Sequence, residues 1–264
     1  MRRVLRRPLS DEALDEAVAH YRAHGWAVLR DIVSKETLAT LRDRATAITS
    51  GAITYPGLFF QPDAPTGRYA DLAFGEGWVG PATNYRKIEH LELDPLFRAW
   101  LQNPVFGRIV RRVHPGDVTI YRAVIFQKAA RVGSDLPWHQ DAGKFWGLDR
   151  DPELQIWTAL DDAPPEAGCL EVCPGTHAAG LASPLGGVVP ADKVAAANAD
   201  SRALAIPARA GDIVLLHNHV WHRSGANRTD APRRGFTVCY LDAATRCTRK
   251  KRAPRTFFPV FRDP

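Results

Sequence analysis

Apolar positions along this chain recur first at helical and then at strand spacing, and the change of period divides it. Ser10 stands before Asp11 and Glu12 as an N-cap, and Leu14, Ala17, Val18 and Tyr21 continue at helical spacing until Gly25. Trp26 to Val33 reads as a short strand. Ser34 then opens a second amphipathic helix through Leu38, Leu41, Ala45 and Ile48, which Gly51 ends. Between Ala52 and Arg86 the periodicity dissolves into Gly, Pro and aromatic residues, over too long a stretch for an ordinary connection, so a lid or active-site loop is expected at about 52–86. Asp94 to Val113 is helical again, with Pro104 dividing it in two.

From Asp117 onward, runs of β-branched and aromatic residues are separated by turn signals: Val118 to Phe126, Leu154 to Leu160, Cys169 to Val172, Ala203 to Pro207, Ile213 to Leu216 and Phe236 to Leu241. Short strands at this spacing predict a sandwich or barrel. The expected organisation is one domain over 1–264: a mostly helical part (1–116) packed against a mainly β core (117–242), then a basic tail (243–264).

Composition changes this picture little. With 264 residues, 45% of them hydrophobic, the chain can bury a substantial core. A net charge of +6 permits an anionic partner without selecting one. Basic residues gather at the ends, in Arg2, Arg3, Arg6 and Arg7 and in Arg246, Arg249, Lys250, Lys251, Arg252 and Arg255, and read as solvated tails. Without an interleaved basic and aromatic motif, no specific nucleic-acid partner is expected. Cys169, Cys173, Cys239 and Cys247 lack the spacing of a zinc site and read as buried thiols. With no apolar run long enough for a bilayer and no signal peptide, no membrane partner is expected and the expected compartment is a reducing cytoplasm.

The candidate chemistry lies in His139-Gln140-Asp141. On an extended segment His139 and Asp141 point to the same side, and with one further imidazole they form the two-histidine, one-carboxylate face that holds non-haem Fe(II) and leaves positions open for other ligands. The block from Gly211 to Asn227 offers His217, His219 and His222, and local chemistry divides the choice evenly between His219 and His222. Downstream, Arg233 or Arg234 supplies a planar two-pronged cation for a co-substrate carboxylate. Adjacent strand residues face opposite ways, so only one of them enters the pocket.

These residues, with Ala159-Leu160-Asp161-Asp162, Gly168-Cys169-Leu170, Pro174-Gly175-Thr176-His177 and His222-Arg223-Ser224-Gly225-Ala226-Asn227, resemble the phytanoyl-CoA dioxygenase family of Fe(II)/2-oxoglutarate-dependent oxygenases over roughly residues 117–242. The resemblance implies a double-stranded β-helix (jelly-roll, cupin-like) barrel. It also implies His139, Asp141 and His222 as iron ligands, and Fe(II), 2-oxoglutarate and O2 as cofactor and co-substrates. Arg233 falls where the family anchors 2-oxoglutarate; Ser224 and Trp157 match positions around the same molecule, and Thr158 and Gln127 are candidates for further polar contacts. His177 is assigned to structure.

The implied reaction is hydroxylation of an unactivated C–H bond of a small molecule in specialised metabolism, with desaturation, epoxidation or cyclisation as outcomes of the same iron chemistry. A non-catalytic nucleic-acid-binding barrel is the rival from another class. A halogenase is disfavoured because Asp141 is present. Gln140, Phe145, Trp146, Phe60 and Tyr85 are the candidate substrate contacts, with Phe59, Tyr69 and Trp78 as further members of an aromatic wall. Arg68, Arg86, Lys87, Arg122 and Lys128 are candidates for recognising an anionic substrate, and a free small molecule is preferred over an acyl-CoA.

Overall fold

A computed structural model describes residue 6, residues 9–250 and residues 255–262. Its strands are β1 (Trp26–Leu29), β2 (Phe59–Pro62), β3 (Tyr85–Glu89), β4 (Val118–Lys128), β5 (Leu136–Gln140), β6 (Leu154–Ala159), β7 (Leu170–Cys173), β8 (Gly187–Val188), β9 (Leu204–Ile206), β10 (Ile213–His217), β11 (Trp221–Ser224), β12 (Arg233–Asp242) and β13 (Phe258–Phe261). The α-helices are α1 (Asp11–His24), α2 (Lys35–Thr49), α3 (Pro95–Leu101), α4 (Pro104–Val113) and α5 (Ala191–Ala196).

The local signals act as expected. Ser10 Oγ accepts from the Ala13 amide and Ser34 Oγ from Thr37, satisfying N–H groups that the first helical turn leaves unpaired. Gly25 ends α1 at φ 85°, and its amide donates to the Tyr21 carbonyl at 2.7 Å. A Cβ there would lie 2.8 Å from the His177 ring, so both the backbone and the packing require glycine.

Two antiparallel sheets form the β-helix. The larger runs β1-β10-β6-β12-β4-β3-β2, with β13 also on β4; the smaller runs β8-β5-β11-β7-β9. Alternation along β6 and β12 sorts side chains to the two faces of the larger sheet. Leu154, Ile156, Phe236 and Val238 meet Tyr21, Leu41, Phe97 and Phe106 of the helices. Trp157 joins Val172, Val214 and Leu216 between the sheets. Each such fully buried apolar side chain contributes about 1.5–3 kcal/mol, so the helices hold the larger sheet rigid behind the site.

Within the 52–86 segment, Phe59–Pro62 forms a strand on β3, and Phe60 and Tyr85 pack their rings 4.9 Å apart within the core. The segment after residue 242 is not simply a solvated tail. β4 is eleven residues long, and β3 covers only its Val124–Phe126 stretch. The remaining edge accepts β13, with Phe258 opposite Ile120, while the Arg255 guanidinium lies 4.4 Å from the Tyr121 ring. Arg2, Arg3, Arg7, Lys251 and Arg252 lie outside the described residues. Among the described residues no helix is long and apolar enough to cross a membrane.

Candidate metal centre

His139 on β5 and His222 on β11 are direct cross-strand partners, with ring centroids 3.9 Å apart. Asp141 follows the end of β5. Its amide donates to the Asn218 carbonyl at 2.9 Å and its carbonyl accepts from Asn218 Nδ2 at 2.8 Å. One ligand atom from each of His139, Asp141 and His222 lies within 4.8 Å of the other two. His139 Nδ1 faces the Pro137 carbonyl at 2.9 Å and His222 Nδ1 faces that of Val220 at 3.0 Å. A carbonyl accepts only from N–H, so the proton sits on Nδ1 and both Nε2 lone pairs are free for a metal.

Protonation states suit the same purpose. Burial, then the neighbouring His222 ring, push the His139 imidazole down to about 3. Burial alone would raise the Asp141 carboxyl; Arg122 at 3.3 Å and His222 outweigh it and hold the group well below the usual carboxylate range. Gln155 Nε2 donates to Asp141 Oδ2 at 2.9 Å, fixing the plane of the carboxylate. Neutral imidazole and ionised carboxylate are the forms that bind a divalent ion. The donor set therefore fits Fe(II).

Beside the ligands the pocket continues between the sheets to Arg233, which is 3% exposed. Its Nε and Nη2 have no hydrogen-bond partner, and its guanidinium lies 5.2 Å from the Trp157 ring. Burial lowers it to about 10, so it remains a cation at neutral pH. Buried guanidinium donors without a protein acceptor fit a co-substrate carboxylate. Trp157 takes its place because Gly235 leaves room for it: a Cβ at 235 would fall 2.0 Å from Trp157 Nε1. Arg234, one residue on, faces outward and is held by Asp161 at 2.7 Å.

The other expected residues divide. Ser224 lines the pocket beside Arg233. Gln127 also borders it, but its Nε2 donates to the Thr83 carbonyl. Thr158 is a correction: the strand period that turns Gln155 and Trp157 inward turns it away, and its Oγ1 accepts from Trp100 Nε1 at 3.3 Å in the helix-facing core. Phe60 and Tyr85 are corrected likewise, since both rings are core, and the Tyr85 hydroxyl donates to the Gly80 carbonyl.

Gln140 borders an outer chamber that opens from the pocket, yet its amide is fully engaged. It donates to the Gly180 and His219 carbonyls and accepts from the Ala182 amide at 2.7 Å, which makes it a staple between loops. Trp146 lines the same chamber, stacked 4.3 Å from Tyr121, and Phe145 lies at its mouth, 66% exposed. Phe59 and Tyr69 line it too, whereas Trp78 donates to the Thr49 carbonyl away from it. His219 pairs with Asp151 at 3.0 Å and His217 accepts from the His219 amide, so neither joins the metal set. His177 faces the Arg22 carbonyl at 3.0 Å, a structural contact.

Sequence reasoning missed Gln155 altogether and gave Arg122 and Lys128 to substrate. Arg122 instead bridges Glu89 and Asp141. Lys128, directly across the strand pair from Arg233, is buried, donates to the Ser134 carbonyl and is pushed down to about 7 by burial and by Arg233. The inward strand period of 155, 157 and 159 was the available signal for Gln155. No comparable signal exists for contacts made across strands distant in sequence.

Comparison with known proteins agrees with this geometry. Residues 21–235 match the family model described as phytanoyl-CoA dioxygenase (PhyH). The chain is 29% identical over 182 residues to phytanoyl-CoA dioxygenase domain-containing protein 1 of Mus musculus, a match that covers 64% of this chain and 62% of that protein, just under two thirds of its length. With the Danio rerio protein of the same name it is 27% identical over 272 residues, covering 88% of this chain and 91% of the relative. Among solved structures, EctD from S. alaskensis with 2-oxoglutarate and 5-hydroxyectoine superposes with a TM-score of 0.71 at 20% identity, covering 99% of this chain and 89% of the other. The α-ketoglutarate-dependent carbocyclase SnoK from nogalamycin biosynthesis gives 0.70 at 21% identity, covering 96% and 97%.

Proposed function

The chain belongs to the phytanoyl-CoA dioxygenase family, and from that premise we propose that it is an Fe(II)- and 2-oxoglutarate-dependent oxygenase that hydroxylates an unactivated C–H bond of a small molecule. One observation carries the reading: a buried His139-Asp141-His222 set and a buried, unsatisfied Arg233 line the same pocket. When bound, iron with 2-oxoglutarate and O2 supplies an oxidant strong enough to take hydrogen from such a bond, with succinate and CO2 as the other products.

The protein's own task is to hold and orient. His139, Asp141 and His222 present their ligand atoms from one side, while Pro137, Val220, Gln155 and Arg122 fix the rings and the carboxylate. Arg233, braced on Trp157, would take the distal carboxylate of 2-oxoglutarate, with Ser224 beside it. Trp146, Phe145 and Phe59 line the outer chamber, which exposes the metal face to a substrate. The same residues would serve desaturation, epoxidation or cyclisation, because those outcomes depend on where the substrate carbon rests. Nucleic-acid binding receives no support from Arg249 and Arg255, whose side chains are turned to the Phe145 carbonyl and the Tyr121 ring. Succinate formation from 2-oxoglutarate by the Fe(II)-loaded protein is the test, with Asp141→Ala and Arg233→Ala as controls. Turnover equal to wild type in both variants refutes the assignment.

A further inference from the structure

The outer chamber carries three cations from β3 and β4, Arg86, Lys87 and Arg122, and all but one are matched by carboxylates among the described residues. Lys87 pairs with Glu89 at 2.7 Å, and Arg122 with both Glu89 and Asp141. Arg68, outside the chamber lining, pairs with Asp71 at 2.8 Å. Arg86 has no carboxylate within ion-pairing distance among the described residues. One guanidinium nitrogen donates to Gln61 Oε1 at 3.1 Å, and the group lies 5.8 Å from the Tyr69 ring and 6.0 Å from the Phe126 ring. A partly buried cation held in place by a neutral amide and two ring faces keeps its remaining donors for something else.

Its position is equally specific. Arg86 borders both the pocket containing the metal ligands and the outer chamber. The mouth of that chamber carries Phe74, 85% exposed, with Phe145 and Val188 also exposed. Large apolar side chains left in water around an opening gain free energy when a ligand covers them. The polarity of the chamber therefore runs from one unmatched positive charge inside to an apolar rim outside.

We propose that the substrate is a carboxylate-bearing amphipathic small molecule whose carboxylate pairs with Arg86 and whose apolar body lies against the Phe74, Phe145 and Val188 rim. The inference rests on the oxygenase reading above and names the substrate class of that site. A single unmatched cation balances a monoanion; a phosphomonoester, with a charge of about −1.5 to −2, would leave charge uncompensated. Because Arg86 borders the metal pocket, the carbon presented for oxidation lies toward the carboxylate end.

The test is anaerobic calorimetry on protein loaded with Fe(II) and 2-oxoglutarate, using matched aryl and alkyl acids and amides, beginning with 3-phenylpropionate and 3-phenylpropanamide. Wild type is expected to prefer the acids by about tenfold to a hundredfold, the scale of a charge-assisted hydrogen bond. Arg86→Gln is expected to lose that preference, and Arg86→Lys to keep part of it. The visible absorption of the Fe(II)–2-oxoglutarate complex, recorded on the same samples, is expected to be equal in wild type and Arg86→Gln. No acid preference anywhere in the series, or a preference that survives Arg86→Gln, overturns the proposal. Loss of the absorption only in Arg86→Gln overturns it too, by assigning Arg86 to the co-substrate. Absence of the absorption in wild type instead refutes the oxygenase reading, while calorimetry still reads the acid preference.

Discussion

Replacing Arg233 by methionine should raise the stability of the ligand-free protein and destroy its affinity for 2-oxoglutarate. The side chain is 3% exposed, and two of its guanidinium nitrogens have no acceptor. Burial takes it from 12.5 to about 10, a displacement worth about 3 kcal/mol at roughly 1.4 kcal/mol per pH unit. The group stays charged at pH 7, so the fold bears that cost. Contact with Trp157 at 5.2 Å returns about 1–2 kcal/mol. Methionine keeps most of the volume and carries no charge, which leaves a net gain of about 1–2 kcal/mol. For a chain of this size that is about 2–6 °C in Tm by scanning calorimetry of metal-free protein. Binding moves the other way: a buried carboxylate deprived of its cation costs about 3–5 kcal/mol, or roughly 10²- to 10⁴-fold in Kd. Anaerobic calorimetry with 2-oxoglutarate on Fe(II)-loaded protein reads the second effect. A variant that melts several degrees lower while binding 2-oxoglutarate normally would show that Arg233 is structural.

Further expectations follow from neighbouring contacts. Gln155→Leu removes the donor that orients Asp141 and should weaken Fe(II) binding by about 10–100-fold in a competitive chelator titration; unchanged affinity would remove Gln155 from the site. Gly235→Ala drives a methyl group into the Trp157 ring and should cost about 1–3 kcal/mol in urea unfolding, together with 2-oxoglutarate affinity; a silent substitution would contradict the packing beneath Arg233. Lys128 is pushed from 10.5 down to about 7, so between those values the unfolded chain binds the extra proton and this group makes stability rise with pH. Its contribution is at most about 1.4 kcal/mol per pH unit. The stability difference between wild type and Lys128→Met, from urea melts at pH 7 and 9, should shift toward wild type at the higher pH; a constant difference would mean that Lys128 does not titrate there.

The sequence was most informative where one strand's own periodicity sufficed. His139 and Asp141 share a face because they are two residues apart, and Ser10, Ser34 and Pro104 mark helix boundaries by chemistry confined to one turn. Residues 59–62 escaped notice because four residues ending in proline give too short a period to detect, although pairing with β3 stabilises them as a strand. Thr158 was misplaced because the face of β6 is set by Trp157 filling the space above Gly235, a contact spanning 78 positions. Likewise, the distinction between Arg86 and the ion-paired Arg122 depends on Glu89 and Asp141 reaching Arg122 from two other segments of the chain. Such pairing is invisible until the sheets are assembled.

The central claim is that His139, Asp141 and His222 hold Fe(II) within reach of a 2-oxoglutarate anchored by Arg233. Anaerobic titration of the Fe(II)-loaded protein with 2-oxoglutarate, followed by its visible charge-transfer absorption, tests this directly. The account predicts an absorption that saturates at one equivalent of 2-oxoglutarate per chain and is absent from Asp141→Ala. No absorption in wild type, or the same absorption in Asp141→Ala, would contradict it.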